Sequence, residues 1–176
     1  MMELRSRTIH FQLVNEHNAE FILSLRTNDE LNKYISKTNS SIQEQKRWIR
    51  SYKTRENRSD EFYFVIYRND NNIPIGTVRL YDFRHDKKSF CWGSWVLNEN
   101  KTKYSAIESA FLVYRFAFET LGFERSHFDV RKGNDRVISF HQKIGARIVS
   151  ENGLDLFFEV IKSDVVESER KFSRFI

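Results

Sequence analysis

The chain has 176 residues, 40% of them hydrophobic and 30% charged, with a net charge of +5. That length suits one domain with a real core, and that balance excludes disorder. No apolar run reaches the roughly 18–20 residues of a membrane span, MMELRSRTIHF lacks the apolar stretch of a secretion signal, and a lone Cys91 excludes an intrachain disulfide and a cysteine-based metal site.

These features predict a cytoplasmic protein that holds no metal and enters no membrane. No linker rich in Pro, Gly or Ser divides residues 1–176, so a single domain is expected. RTIHFQLV (7–14) has strand composition, and EHNAEFILSLRTND follows with Ala19, Ile22, Leu23 and Arg26 at helical spacing. A short second helix is expected around Leu31, Tyr34 and Ile35. SSIQEQKRWIRSY reads as a third, with Ser41 and Glu44 spaced as a capping box.

EFYFVIYR, the polar turn NDNN and IPIGTVRLYDF form a predicted hairpin, and a further turn, RHDKK, leads into SFCWGSWVL. Three strands joined by short turns make an antiparallel meander. A helix is predicted over 105–121, with Ile107, Ala110, Phe111, Tyr114, Phe118 and Leu121 on its buried face and Gly122 at its end. ERSHFDVR is a strand with Phe128 and Val130 on one face and His127, Asp129 and Arg131 on the other. A shorter helix begins at an Asn134 cap and closes at Gly145, and ARIVS and GLDLFFEVI supply the last strands. The C-terminal VVESERKFSRFI reads as a basic amphipathic helix that covers the sheet or joins a partner. More strands than simple βα alternation would give imply a mixed sheet flanked by helices in one α/β domain.

The segment NENKTKYSAIES (98–109) joins a strand to the N-terminus of the long helix. Exposed amides and the helix dipole make such a junction a frequent phosphate site. Phosphate loops normally carry glycine, whereas this one carries Lys101, Thr102, Lys103 and Tyr104. Ser105 and Glu108 have capping-box spacing, which would occupy one amide and place an anion in the first turn. The loop either holds phosphate in another way or holds none.

Other chemical signals are sparse. There is no HExxH, Walker loop, GxSxG or paired-cysteine pattern, and His10, His17 and His85 have no metal-ligand spacing. The basic stretch QKRWIRSYKTRENR (45–58) suits an anionic surface in principle, yet Ile42, Trp48, Ile49 and Tyr52 mark it as an ordinary helix with a solvated face. No nucleic-acid motif accompanies it.

The order of parts carries a resemblance. Hairpin, WGSWVL strand, loop, long helix, strand, the NDRVISFHQKIG helix and a closing strand pair resemble the GNAT family of acetyl-CoA-dependent N-acetyltransferases over nearly the whole chain. LRTNDELNKYI, IQEQKRWIRS and PIGTVRLYDF resemble in particular the members that N-acetylate nucleotide-linked amino sugars of surface polysaccharides, the pseudaminic-acid-pathway type. Ribosomal-protein N-terminal acetyltransferases share much of the layout. The resemblance implies the GNAT fold, acetyl-CoA as acyl donor, no metal, and direct transfer to an amine of a small-molecule acceptor. It also admits a protein N-terminus as acceptor, or a non-catalytic binding module with Tyr104 filling the pyrophosphate site.

Residue by residue, the resemblance implies that Trp95, Val96 and Leu97 run beside the pantetheine. Lys101, Thr102, Lys103, Tyr104, Ser105 and Ala106 hold the pyrophosphate, and Asn134 and Phe140 flank the cofactor. Tyr104 stands where the family has its first loop glycine. His141 stands where many members have a Tyr general acid, and an imidazole with its ordinary pKa of about 6.5 would suit that work. Asp129 is the expected base, with a salt bridge to Arg131 or His127 as its structural alternative. Ser94 is expected to share a strand face with Trp92 and Val96 and to orient water or substrate. Arg26, Trp92 and Tyr81 are expected on the acceptor side, Cys91 in plain packing, and exposed aromatic strands suit a homodimer.

Overall fold

The computed structural model describes residues 3–28, 31 and 41–176. The predicted helix around Tyr34 and Ile35 lies outside the described residues. Seven strands form one sheet: β1 (Ile9–Leu13), β2 (Phe62–Arg68), β3 (Pro74–Arg84), β4 (Ser89–Leu97), β5 (Arg125–Arg131), β6 (Arg147–Glu151) and β7 (Asp155–Ile161), in the order β1-β2-β3-β4-β5-β7-β6. Every neighbouring pair is antiparallel except β4 and β5. A parallel pair needs a crossover, and α3 (Ser105–Arg115) supplies it.

The strands alternate between two cores. Phe62, Phe64 and Ile66 of β2 enter the larger core with Phe111 and Tyr114 of α3, while Tyr63 and Val65 enter a smaller one. The smaller core is closed by Ile22 of α1 (Ala19–Arg26) and by Ile49 and Tyr52 of α2 (Ile42–Asn57). α4 (Asp135–Lys143) and α5 (Lys162–Lys171) contribute Phe140 and Val165 to the larger core. Ser41 caps α2 by accepting from the Glu44 amide at 3.3 Å. The basic residues of α2 face outward into pairs: Arg50 with Glu16 at 3.1 Å, Lys53 with Glu56 at 2.9 Å and Arg55 with Glu61 at 2.9 Å.

Three details depart from the sequence pattern. The helix predicted to 121 changes to a wider π-turn over Phe116–Thr120. Phe116, Ala117 and Phe118 are all buried there, as are Glu108–Tyr114 in the regular helix before them. Asn134 occupies the cap position of α4 but makes no capping bond with its side chain. The aromatic strand residues expected at the surface lie inside; the exposed large hydrophobics among the described residues are aliphatic and include Ile148, Val149, Leu154 and Ile161 on and beside β6 and β7.

Candidate active site

β4 and β5 pair only at Ser89–Arg125 and Phe90–Ser126, so beyond their first residues the two strands part and open a wedge in the sheet. β4 also bulges, because Thr77 and Arg79 of β3 oppose Val96 and Gly93, leaving one extra residue on β4. Ser94 sits in that bulge at φ +46. The bulge resets the alternation, and both Trp92 and Trp95 reach α3. Trp92 Nε1 donates to the Tyr114 hydroxyl at 3.2 Å and Trp95 Nε1 to Ser109 Oγ at 3.0 Å. This corrects the expected sharing of one face by Trp92, Ser94 and Val96: the cross-strand partners of Trp92 and Val96 are Leu80 and Thr77, on opposite faces. Gly76 permits the close strand approach here, since a Cβ on it would lie 2.1 Å from the Val96 carbonyl oxygen.

On the α3 side of the wedge runs a groove of about 890 Å³, walled by Trp95, Val96, Leu97, Ala106, Ile107 and Phe111 and, from α4, by Asn134, Phe140 and Lys143. Lys101 stands at its rim. The loop above it offers donors. Among the described residues the amides of Thr102, Lys103, Tyr104, Ala106 and Ile107 donate to no protein acceptor, as the geometry of a helix start requires. Tyr104 has φ −113, which any residue adopts, and its ring turns away from the groove to pack on Phe175 at 4.6 Å. The expected capping box is absent. Ser105 Oγ donates to the Thr102 carbonyl at 2.9 Å, and the Glu108 amide donates to the Tyr104 carbonyl at 2.9 Å. The Glu108 carboxylate is fully buried and accepts from the Thr8 amide at 2.6 Å and from the Thr8 hydroxyl, so it is held away from the loop amides.

Through the wedge the groove meets a second, smaller cleft of about 310 Å³, and Trp95, Asn134 and Val137 line both. Arg79, Tyr81, Trp92, Ser94, Asp129, Arg131 and His141 complete the smaller cleft. The Arg79 guanidinium lies 4.2 Å from the centre of the Tyr81 ring and 3.6 Å from Glu61, a carboxylate also held by Arg55 at 2.9 Å. Arg79 brings one guanidinium to a cleft whose other charges are Arg131, Asp129 and Asp155.

Asp129 makes no ion pair among the described residues. Its two expected partners are engaged elsewhere: Arg131 pairs with Asp155 at 2.9 Å, and His127 bonds Ser89 at 2.6 Å and Asp82 at 2.9 Å. Partial burial, then the nearby Asp155 carboxylate, raises the Asp129 pKa above the ordinary carboxylate value. His141 is 4% exposed in a nest of Phe128 at 4.3 Å, Trp92 at 5.3 Å and Trp95 at 6.0 Å between ring centres. Burial pushes its pKa down to about 3, so the imidazole is neutral near pH 7. This corrects the premise that an ordinary pKa equips His141 as a general acid. Its Nδ1 is sealed without a partner, which favours the tautomer carrying the proton on Nε2, because an orphaned acceptor costs less than an orphaned N–H.

The wedge thus brings Trp95, Val96, Leu97, Lys101, Ala106, Asn134 and Phe140 to the groove, and His141, Asp129, Ser94, Trp92 and Tyr81 to the cleft. Thr102, Lys103, Tyr104 and Ser105 form the loop above the groove rather than its wall. Arg26, at the end of α1, lies beside the buried Tyr63 hydroxyl and lines neither cleft. Cys91 is 4% exposed and its thiol is pushed up to about 12 by burial, which leaves it inert. Sequence reading missed Arg79, Phe172 and the α4 cations Arg136 and Lys143, all of which line the two openings. The alternation of PIGTVRLYDF, which puts Arg79 and Tyr81 on one face, was the available signal for the first.

Residues 9–147 match the family model described as an acetyltransferase (GNAT) domain. A solved structure described as apo FdhC, a nucleotide-linked sugar GNAT, is 55% identical over 99% of this chain and 98% of that one, with a TM-score of 0.92. The ribosomal-protein-S5-alanine acetyltransferase of Vibrio fischeri shares the fold at TM-score 0.80 and 15% identity, over 93% of this chain and 98% of that one. A curated relative, the SPbeta prophage-derived uncharacterized N-acetyltransferase YokL of Bacillus subtilis (strain 168), is 28% identical over 97 residues, 55% of this chain. The match spans about half of that relative's length, 54%.

Proposed function

This chain belongs to the GNAT acetyltransferase family, and we propose that it transfers an acetyl group from acetyl-CoA to the amino group of a nucleotide-linked amino sugar. The observation that carries the substrate class is the 55% identity, along 99% of the chain, with a structure described as a nucleotide-linked sugar GNAT. The site is compatible with it. The groove suits a long, partly apolar donor, and the free loop amides with Lys101 and Lys103 suit its diphosphate. The Arg79 guanidinium in the cleft can meet an anionic group of the acceptor. In this reading Trp95, Val96 and Leu97 flank the pantetheine, Asn134 and Phe140 hold it from α4, and Tyr81 and Trp92 shape the acceptor side.

When bound, the coenzyme supplies an acetyl thioester at the wedge. The chain's own groups do the rest. Asp129 takes the proton that the acceptor's ammonium must lose, directly or through one water, and its raised pKa makes it a better base than an ordinary carboxylate. His141 offers a neutral Nε2–H toward the cleft as a donor of fixed charge state. Ser94, turned out of the strand pattern by the bulge, orients water or the amine. Cys91 takes no part, in keeping with direct transfer.

The test is turnover of acetyl-CoA with a panel of nucleotide-linked amino sugars, set against peptides with free N-termini and against polyamines. The reading expects turnover with at least one nucleotide-linked amino sugar. Turnover confined to peptides or polyamines would overturn it.

A further inference from the structure

Both ends of the chain converge on the loop that lacks glycine. At its start the Thr102 hydroxyl meets the Thr8 hydroxyl at 2.7 Å, and Thr8 is fixed in turn by the buried Glu108. At its end the Tyr104 ring packs on Phe175, with centres 4.6 Å apart. The two buttresses are joined behind the loop, where Arg7 Nη1 donates to the Arg174 carbonyl at 3.0 Å. Phe172, one turn earlier in the same tail, forms part of the donor groove wall and lies 6.2 Å from Phe111 of α3. The contacts therefore close a circuit: Thr8 to Thr102, Tyr104 to Phe175, Arg174 back to Arg7.

A phosphate cradle of backbone amides works only if the amides point at one place before the ligand arrives. Glycines let a loop reach that shape, but they leave it loose in the absence of ligand. Here no loop residue needs positive φ, and side chains provide the holding instead. We propose that Phe175, through Tyr104, is a positioning residue of the donor site: the C-terminal tail holds the phosphate loop in its binding shape, in place of the glycines. The proposal rests on the groove being the donor site. It assigns a binding role to a tail that the sequence marked only as a cover for the sheet or a contact for a partner.

The experiment measures the dissociation constant of free coenzyme A by calorimetry for the wild-type chain, Phe175→Ala, Phe175→Trp and Tyr104→Leu, and for the double variant Phe175→Ala/Tyr104→Leu. The expected result is a weakening of about threefold to tenfold in Phe175→Ala, the worth of an aromatic pair. Phe175→Trp restores binding, and the double variant is no weaker than either single one, since the two rings act as a unit. In turnover assays the KM for acetyl-CoA rises with kcat unchanged, while the KM for acetyl-pantetheine, which has no diphosphate, does not move. Equal loss for both donors would mean general damage to the groove and would overturn the proposal. So would unchanged coenzyme A affinity in a Phe175→Ala chain that melts like wild type. Failure of the wild-type chain itself to bind coenzyme A would instead remove the donor-site reading on which the proposal stands.

Discussion

The proposed donor groove and the proposed acceptor cleft share Trp95, Asn134 and Val137, yet they are built from different materials. The groove presents apolar and aromatic walls, a row of backbone amides above it, and the cations Lys101, Arg136 and Lys143 along its edge. The cleft presents side chains with charge: Arg79 and Arg131, Asp129 and Asp155. A site made of amides tolerates a change of side chain as long as the backbone keeps its course, which is why Tyr104 can stand where a glycine is usual. A site made of charged side chains has no such latitude, because each group acts through its own position and protonation state. Substitutions in the two regions should therefore differ in kind as well as in size.

The largest effect is expected at Asp129. Asp129→Asn removes the base, and kcat should fall by about 10²- to 10⁴-fold with coenzyme A affinity unchanged. In the wild-type chain the carboxylate must be deprotonated to act. Activity is thus lost as pH falls through the Asp129 pKa, and that acid limb lies above the ordinary carboxylate value. A pH profile of kcat/KM checks both points, and the limb should be missing from the residual activity of Asp129→Asn.

Arg79→Met comes next. Losing this guanidinium from the cleft should raise the acceptor KM by about 10- to 100-fold, the range for hydrogen bonds to charged groups, and leave the acetyl-CoA KM unmoved. Steady-state kinetics with both substrates varied separates the two. Equal rises would show that the regions are less independent than their construction implies.

At His141 the expected pH-dependent effect is on stability rather than rate. Its folded pKa of about 3 lies below the ordinary value of about 6.5, so between these limits the unfolded chain binds a proton that the folded chain refuses. The contribution is full above about pH 6.5 and is lost as pH falls toward 3. His141→Phe should flatten that part of the curve of melting temperature against pH. The wild-type kcat/KM profile should show no limb near 6.5 from His141, whose imidazole stays neutral down to about pH 3.

The smallest effect is expected in the loop. Tyr104→Gly should weaken coenzyme A binding by about threefold to tenfold, the worth of the same aromatic pair that Phe175→Ala removes. A large gain instead would mean that the tyrosine obstructs the site and that the contrast between the regions is wrong.

Much of this was legible in the sequence because it rests on local pattern. The hairpin at NDNN, the meander into WGSWVL and the alternation of ERSHFDVR all read correctly, since period-two patterning and turn residues fix them. What failed depended on departures from period. The bulge at Ser94 shifts every facing after Gly93; a glycine inside a strand is a signal for such a bulge, but the strand was read as regular. The π-turn at Phe116 is unmarked in the sequence, since its buried residues follow a longer buried run, Glu108–Tyr114, that stays regular helix. Non-local pairing was equally hidden: nothing in KYSAIES reveals that Glu108 is bound by Thr8, or that Tyr104 rests on Phe175. The ordinary pKa assumed for His141 failed for the same reason, because the rings around it come from two other strands, Trp92 and Trp95 from β4 and Phe128 from β5.

The most direct measurement is a calorimetric titration of the purified protein with coenzyme A, with ATP as the control for phosphate binding alone. Binding in the micromolar range, about −8 kcal/mol, and clear preference over ATP are expected if a loop without glycine forms a working donor site. No heat of binding with coenzyme A at millimolar concentration would contradict it.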